Sequence, residues 1–423
     1  MLKVTFLTGE YPPMQGGIAD HTAYLAQHLA SLNVESSILI SRHWQERGGD
    51  EAIPQGYNVR RGRDLTSPSP RVFATLPNWG WRCWPGVANF LKVHQPNVLH
   101  IQYQAAAFDL GGWVNWLPWY LKKRGVSTRL VTTFHDLRIP YIFPKAGSFR
   151  WRSILTLARH SDAVICTNRA DLQTLQRALH VGQANSLTNQ PSPLLTLIPL
   201  GSNVEPQPPP IFDRMAWRKK YEANADTLLL AYFGFLNESK GGEELIEALA
   251  LLRQQSFDAR LLLIGGELGH ADPTNAAYAQ RVQALIDRHH LTDFVHRTGY
   301  IGLPEVSANL LAADAVVMPY RDGVSFRRTT LIAALRHGCP VVSITPTDPS
   351  TIPEIHSGEN MLLAPPRDAT ALAQAIASLA GDTALRQKLA VGSKQLGDLF
   401  EWDKIAGATA ELYQRLTTSQ SRG

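Results

Sequence analysis

Short apolar runs alternate with helix-length amphipathic segments along the whole chain, and the cycle occurs twice. In the first half the runs are Val4–Thr8, Ser37–Ile40, Val98–Gln102, Leu130–Phe134, Ala163–Thr167 and Leu195–Leu200. In the second half they are Leu228–Phe233, Arg260–Ile264, Phe294–Arg297, Ala315–Pro319, Pro340–Ile344 and Met361–Ala364. Continuous leucine-rich and β-branched runs predict strands covered on both faces, hence parallel sheets sandwiched by helices. A chain of 423 residues also exceeds what one core usually serves. The expected fold is therefore α/β, with two Rossmann-like doubly wound domains facing a cleft, into which the carboxyl ends of the strands open.

The seam falls in the proline-rich stretch Gly201–Pro210, which can continue neither a strand nor a helix. This predicts a first domain over 1–203, a linker over 204–210 and a second domain over 211–400. A final helix, about Glu401–Leu416 within 401–418, places Trp402, Ile405, Ala406, Leu412, Tyr413 and Leu416 on one face. That helix follows the second sheet and is expected to pack back onto the first domain. The segment Gly182–Pro193 reads as a surface loop.

Composition narrows the function classes. No run of about 18 apolar residues occurs, so no membrane-spanning helix is expected. The start, Met1-Leu-Lys-Val-Thr-Phe, reads as a first strand rather than a signal peptide. Cys83, Cys166 and Cys339 lie far apart, as buried free thiols in a reducing compartment do, and the expected location is cytoplasmic. A net charge of +5 suits an anionic ligand or an anionic membrane surface. Nucleic acid is not expected, because the cations are scattered and no recognition motif occurs. Six tryptophans fall in two short segments, Trp79, Trp81 and Trp84, then Trp113, Trp116 and Trp119, with Arg82, Lys122, Lys123 and Arg124 nearby. Such interleaving suits a peripheral contact at a membrane's cytoplasmic face, or stacking on sugars, as well as ordinary packing.

The richest motif is Tyr320-Arg-Asp-Gly-Val-Ser-Phe-Arg-Arg-Thr-Thr330. It leaves an apolar strand and enters an apolar-periodic helix that stops at Gly338. Backbone N–H groups near Ser325, Thr329 and Thr330, beside Arg327 and Arg328, would form an anion site after the turn at Gly323. A diphosphate is the expected occupant. A second loop, Gly234-Phe-Leu-Asn-Glu-Ser-Lys-Gly-Gly242, offers Lys240 as a point charge and Asn237 as a donor. Gly265-Gly266 ends the next strand, where a nucleoside can lie on bare backbone. Glu305 reads equally as a helix-dipole acid or a ligand contact.

In the first half, Gly16-Gly17 follows the first strand, either for close ligand approach or simply for a left-handed turn. His135-Asp136 ends the strand Leu130–Phe134, where a histidine can bond a sugar hydroxyl or simply cap the strand. Gln102 and Gln104, ending the strand before it, would line an acceptor side together with Asp136. No G-x-G-x-x-G fingerprint, Walker sequence or D-x-D triplet occurs, so no cofactor and no required metal are expected.

Taken together these residues resemble the family-4 glycosyltransferases of the GT-B fold, the glycosyl transferases of group 1. The resemblance runs through Gly16-Gly17, Thr133-Phe-His-Asp136, Ile198-Pro-Leu-Gly201, Gly234…Lys240-Gly241, Ala312–Tyr320, Gly338-Cys-Pro-Val-Val342 and Gly358–Pro366. It implies retaining transfer of a sugar from a nucleotide-diphosphate sugar to a saccharide or lipid-linked acceptor, as in polysaccharide or glycolipid biosynthesis. It also implies Lys240, Asp322 and His135 as catalytic positions, Asp322 holding the donor sugar's hydroxyls. The sequence departs from the family at its paired glutamates, which have seven residues between them. Counted from Gly338 they fall on Ser325 and Ala333, and aligned on the loop they fall on Asp322 and Thr330. The arginine common beside the lysine loop's first glycine is here Phe235. A catalytically silent nucleotide-sugar or glycan binder, or a nucleotide-sugar epimerase of the same architecture, would fit these departures as well.

Overall fold

The computed structural model describes residues 1–14, 16–44, 70–137, 147–179, 192–265 and 273–418. The chain forms two units, Met1–Gly201 with Trp402–Gly423, and Ser202–Glu401.

The first unit is built on β1 (Leu2–Thr8), β2 (Val34–Ser41), β3 (Arg71–Leu76), β4 (Val98–Tyr103), β5 (Arg129–Phe134), β6 (Ala163–Cys166) and β7 (Leu194–Leu197). They form one parallel sheet in the order β3-β2-β1-β4-β5-β6-β7. Every residue of β4 is buried, as a strand covered on both faces requires. The helix Gly17–Ser31 turns Ile18, Thr22, Leu25 and Leu29 inward. Strand β3 was not anticipated. It is an edge strand in which Leu76 is buried and Val72, Phe73 and Ala74 pack partly buried against the core. Strand β7 ends at Leu197 rather than Leu200, since Pro199 has no N–H to continue the ladder.

The last helix, Trp402–Thr418, belongs to this unit. Trp402 stacks on Tyr24 at 5.3 Å and lies so close to Gly201 that any Cβ there would strike its ring. Asp403 pairs with His28 at 2.8 Å.

The second unit carries β8 (Leu228–Phe233), β9 (Ala259–Ile264), β10 (Val295–Arg297), β11 (Ala315–Met318), β12 (Val341–Ile344) and β13 (Leu362–Ala364), in the parallel order β10-β9-β8-β11-β12-β13. Each sheet therefore reverses its direction of growth once, between β1 and β4 and between β8 and β11. Loops leaving the carboxyl ends of such strands splay apart and create a binding crevice there. The lysine loop leaves β8 and the Tyr320 turn leaves β11, so both arise at the second sheet's reversal.

All three cysteines are buried and free. Among the described residues no helix is long and apolar enough to cross a membrane. Residues 182–191 of the expected loop lie outside the described residues.

Candidate functional site

In the second unit, β8 is followed by Gly234, whose φ of +121° lies in the positive range that favours glycine. A Cβ there would sit 3.3 Å from Lys240 Nζ and 3.2 Å from Thr330 Cγ2, so these two side chains meet over the bare backbone. Asn237, whose Oδ1 accepts from Ser239 Oγ at 2.8 Å, opens a short 3-10 turn over Glu238–Lys240. Gly241 follows at φ +68°, and a Cβ there would come within 2.0 Å of the Pro319 carbonyl oxygen. Only glycine lets the lysine loop lie this close to the end of β11.

Arg321 ties the two loops together. Its backbone N–H donates to the Ser239 carbonyl at 2.9 Å, and its guanidinium donates to Glu244 at 2.7 Å and Glu243 at 2.5 Å. This clamp holds Lys240 at its post while leaving its ammonium unpaired among the described residues. Burial first, and then the Arg328 charge, lower the Lys240 pKa to about 8. An anion is the partner that would relieve both effects.

Arg328 stands at the N-cap position of the helix Thr329–Arg336, lies 4.9 Å over the Tyr320 ring, and donates through Nη2 to both carboxylate oxygens of Asp322 at 2.8 and 2.9 Å. Tyr320, fully buried, shares a hydrogen bond with Thr330 Oγ1 at 3.2 Å. The helix starts at Thr329, so its first free N–H groups belong to Thr329 and Thr330 rather than to Ser325. Ser325 instead shapes the preceding turn, accepting from the Arg327 and Arg328 amides at 3.3 and 3.2 Å. Gly323, at φ +80°, would bring a Cβ within 2.8 Å of the Thr345 carbonyl oxygen, which fixes where Asp322 stands. Lys240 and Thr330 thus meet at Gly234, Arg328 and Thr330 both contact Tyr320, and Arg327 enters the turn through its backbone.

Beyond β8 and β9 lies a cavity of about 290 Å³ lined by Gly234, Gly265, Leu263, Gln283 and Arg297. Gly265 has φ +117° and its amide donates to Thr298 at 3.1 Å. Gly266 lies outside the described residues. Glu305 sits in the first turn of the helix Leu303–Ala312, where its charge complements the helix dipole.

In the first unit, His135 Nε2 meets Gln102 Oε1 at 2.7 Å, and His21 packs edge-on against His135 at 4.8 Å. Burial and these neighbouring histidines keep His135 neutral, far below the usual histidine range. Gln102 does not line an acceptor side: it is 0% exposed on the central strand β4. Gln104 and Asp136, just beyond β4 and β5, are half-buried. Gly16 is extended at φ 172°, so the left-handed reading of this turn fails; it faces the Glu10 carboxylate, and Gly17 begins the helix. Glu10 escaped sequence reading, yet burial first and Asp20 second raise its pKa.

A larger cavity, about 900 Å³, lies in the first unit beside Asn97 and Thr128, at the amino ends of β4 and β5. That is the opposite sheet edge from His135, so its size does not make it the reaction site. Of the six clustered tryptophans Trp79 is buried, Trp84 and Trp116 are half-buried, and Trp81, Trp113 and Trp119 are exposed. Among the described residues no cluster of histidine, cysteine and carboxylate could hold a metal ion.

Two family models match: glycosyltransferase family 4 over residues 15–185 and glycosyl transferases group 1 over 227–382. A D-inositol 3-phosphate glycosyltransferase of Jonesia denitrificans is 28% identical over 218 residues, 50% of this chain and 49% of that protein. The chain thus spans about half the length of the curated relatives it matches. Among solved structures, sucrose-phosphate synthase from Thermosynechococcus elongatus superposes with a TM-score of 0.71 at 21% identity, covering 99% of this chain and 100% of that one. HepE of Anabaena, solved with UDP and glucose, gives 0.69 at 18% identity, with 98% and 100% covered.

Proposed function

The chain belongs to the group 1 glycosyl transferases, of glycosyltransferase family 4 and the GT-B fold, and from that premise we propose that it moves a sugar from a nucleoside-diphosphate donor to an acceptor hydroxyl. The transfer is metal-independent and retains the configuration at the anomeric carbon. One observation carries the reading: Lys240 and Thr330 meet over the bare backbone of Gly234, where the second sheet reverses, and the Arg328 charge acts on Lys240. UDP and glucose bound to HepE are ligands of the class this site suits.

In the reaction the bond from the anomeric carbon to the diphosphate oxygen breaks, and its electron pair leaves with the diphosphate. The acceptor oxygen bonds to the same carbon and releases its proton to the departing diphosphate. Charge grows on the leaving group, and fixed positive groups lower the barrier by meeting it where it grows. Lys240 and Arg328 supply the charge that a divalent cation supplies in other transferases. Asp322 holds Arg328 in place through both of its oxygens. Gly265 and the cavity beside it receive the nucleoside, and His135 bonds a sugar hydroxyl.

Purified protein in EDTA is expected to release nucleoside diphosphate from a nucleotide sugar only when an acceptor is present. Binding without release would identify a silent binder, and conversion of the donor sugar without an acceptor would identify an epimerase. A thermal-shift screen of nucleotide sugars finds the donor first, since a bound ligand stabilises the native state by mass action.

The tryptophan face gives this enzyme a side for an anionic membrane, where a lipid-linked acceptor would be met. Trp81, under Arg82 at 5.6 Å, and Trp113, edge-on to Trp84 at 6.0 Å, are exposed, and Arg124 lies 5.2 Å over Tyr120, which packs on Trp84. Indoles settle at headgroup level and cations answer anionic lipid. Replacing Trp81 and Trp113 together by alanine is expected to lower partitioning onto anionic vesicles about tenfold. Unchanged partitioning would return these rings to a packing role.

A further inference from the structure

Gln102 is too deep to touch a substrate, yet its side chain is held at both ends. Its Oε1 lies 2.7 Å from His135 Nε2, and its Nε2 lies 3.4 Å from His100 Nε2. His100 is itself fixed by Thr133 Oγ1 at 2.7 Å and, through Nδ1, by the Tyr413 hydroxyl of the last helix at 2.5 Å. Gln102, His100, Thr133 and Tyr413 are all buried. Resting on the reading that His135 meets the sugar, we propose that Gln102 is a positioning residue that fixes the proton of His135 on Nε2 and leaves Nδ1 as a hydrogen-bond acceptor.

The chemistry is one of donor and acceptor counting. An amide oxygen only accepts, so the nitrogen it faces must carry the hydrogen. The amide nitrogen then donates to His100 Nε2, which places the His100 proton on Nδ1, facing Tyr413. Strand register makes the arrangement rigid, because Gln102 pairs with Thr133 across β4 and β5 and His135 follows two residues later. The titratable groups facing His135 are His21 and His100, both held neutral by burial, with pKa values lowered to about 4 and about 3. A neutral His135 of defined tautomer accepts a hydrogen bond from a hydroxyl; the other tautomer presents an N–H at the same place and does not.

The test is nitrogen NMR of the full chain labelled with ¹⁵N-histidine, with His135 assigned by its loss in His135→Ala. The wild-type protein should show His135 protonated at Nε2 with a pyridine-like Nδ1, and Gln102→Leu should mix the two tautomers. A wild-type proton on Nδ1, or a tautomer that Gln102→Leu leaves alone, would overturn the inference. If the leucine variant fails to fold, Gln102→Glu decides. Its carboxylate still accepts from Nε2 but raises the His135 pKa, so UDP release from UDP-glucose should fall as pH drops through the new value. No upward shift of that pKa in Gln102→Glu counts against the inference. Gln102→Leu should lower kcat about tenfold while the Kd for UDP stays unchanged. A tautomer shift with full turnover in His135→Ala would instead sink the sugar-binding role of His135 and leave the positioning intact.

Discussion

Lys240→Ala is expected to lower turnover by about 10²-fold or more, the usual effect of deleting a preorganised donor to developing negative charge. The size follows from how the protein keeps this ammonium. It is partly buried, the Arg328 charge lies near it, and its pKa is driven down to about 8. Below that pH the folded protein carries a charge that its surroundings disfavour, and a diphosphate removes the disfavour. The sign of the pH dependence is therefore fixed. The free enzyme's kcat/KM for donor should fall as pH rises through about 8, because neutral lysine offers the leaving group no charge. Native stability should move the other way, rising with pH between about 8 and the ordinary lysine value, since the unfolded chain holds that proton longer. Lys240→Ala should lose the alkaline limb along with the rate. Turnover near normal in the alanine variant, with the limb still present, would remove Lys240 from the site.

Much of this architecture is legible in the sequence because its signal is local. Buried parallel strands such as β8 read as continuous apolar runs, and Gly241 and Gly323 mark turns. Lys240 and Arg328 were both visible as loop cations. What could not be read is pairing at a distance. Arg321 meets Glu243 and Glu244 across 78 and 77 residues, and those acids look from sequence like ordinary first-turn helix charges. Tyr413 meets His100 across 313 residues, and Gln102 looked like a surface residue because a polar group at a strand's carboxyl end usually is one.

The Arg328–Asp322 pair sets up the other large effect. Arg328→Ala removes a cation from the proposed phosphate site and also frees a carboxylate that the guanidinium had neutralised at 2.8 and 2.9 Å. Both changes disfavour a dianionic leaving group, so kcat/KM is expected to fall by about 10²–10³-fold, more than loss of one donor alone gives. Adding Asp322→Asn to Arg328→Ala should then recover about tenfold, because the exposed negative charge is gone while the shape of the side chain is kept. Contacting residues couple by about 0.5–3 kcal/mol in such cycles, so the recovery is within measurable range. The cycle also decides between two roles for Asp322. If its carboxylate chiefly holds the donor sugar, as the family resemblance implies, the double variant should be worse than Arg328→Ala. If it chiefly holds Arg328, the double variant should be better, and Asp322→Asn alone should raise KM for the donor more than it lowers kcat. The contact geometry favours the second outcome: both oxygens of the Asp322 carboxylate accept from Arg328 Nη2, with the guanidinium 4.9 Å over the Tyr320 ring, so Arg328 is held before any donor arrives.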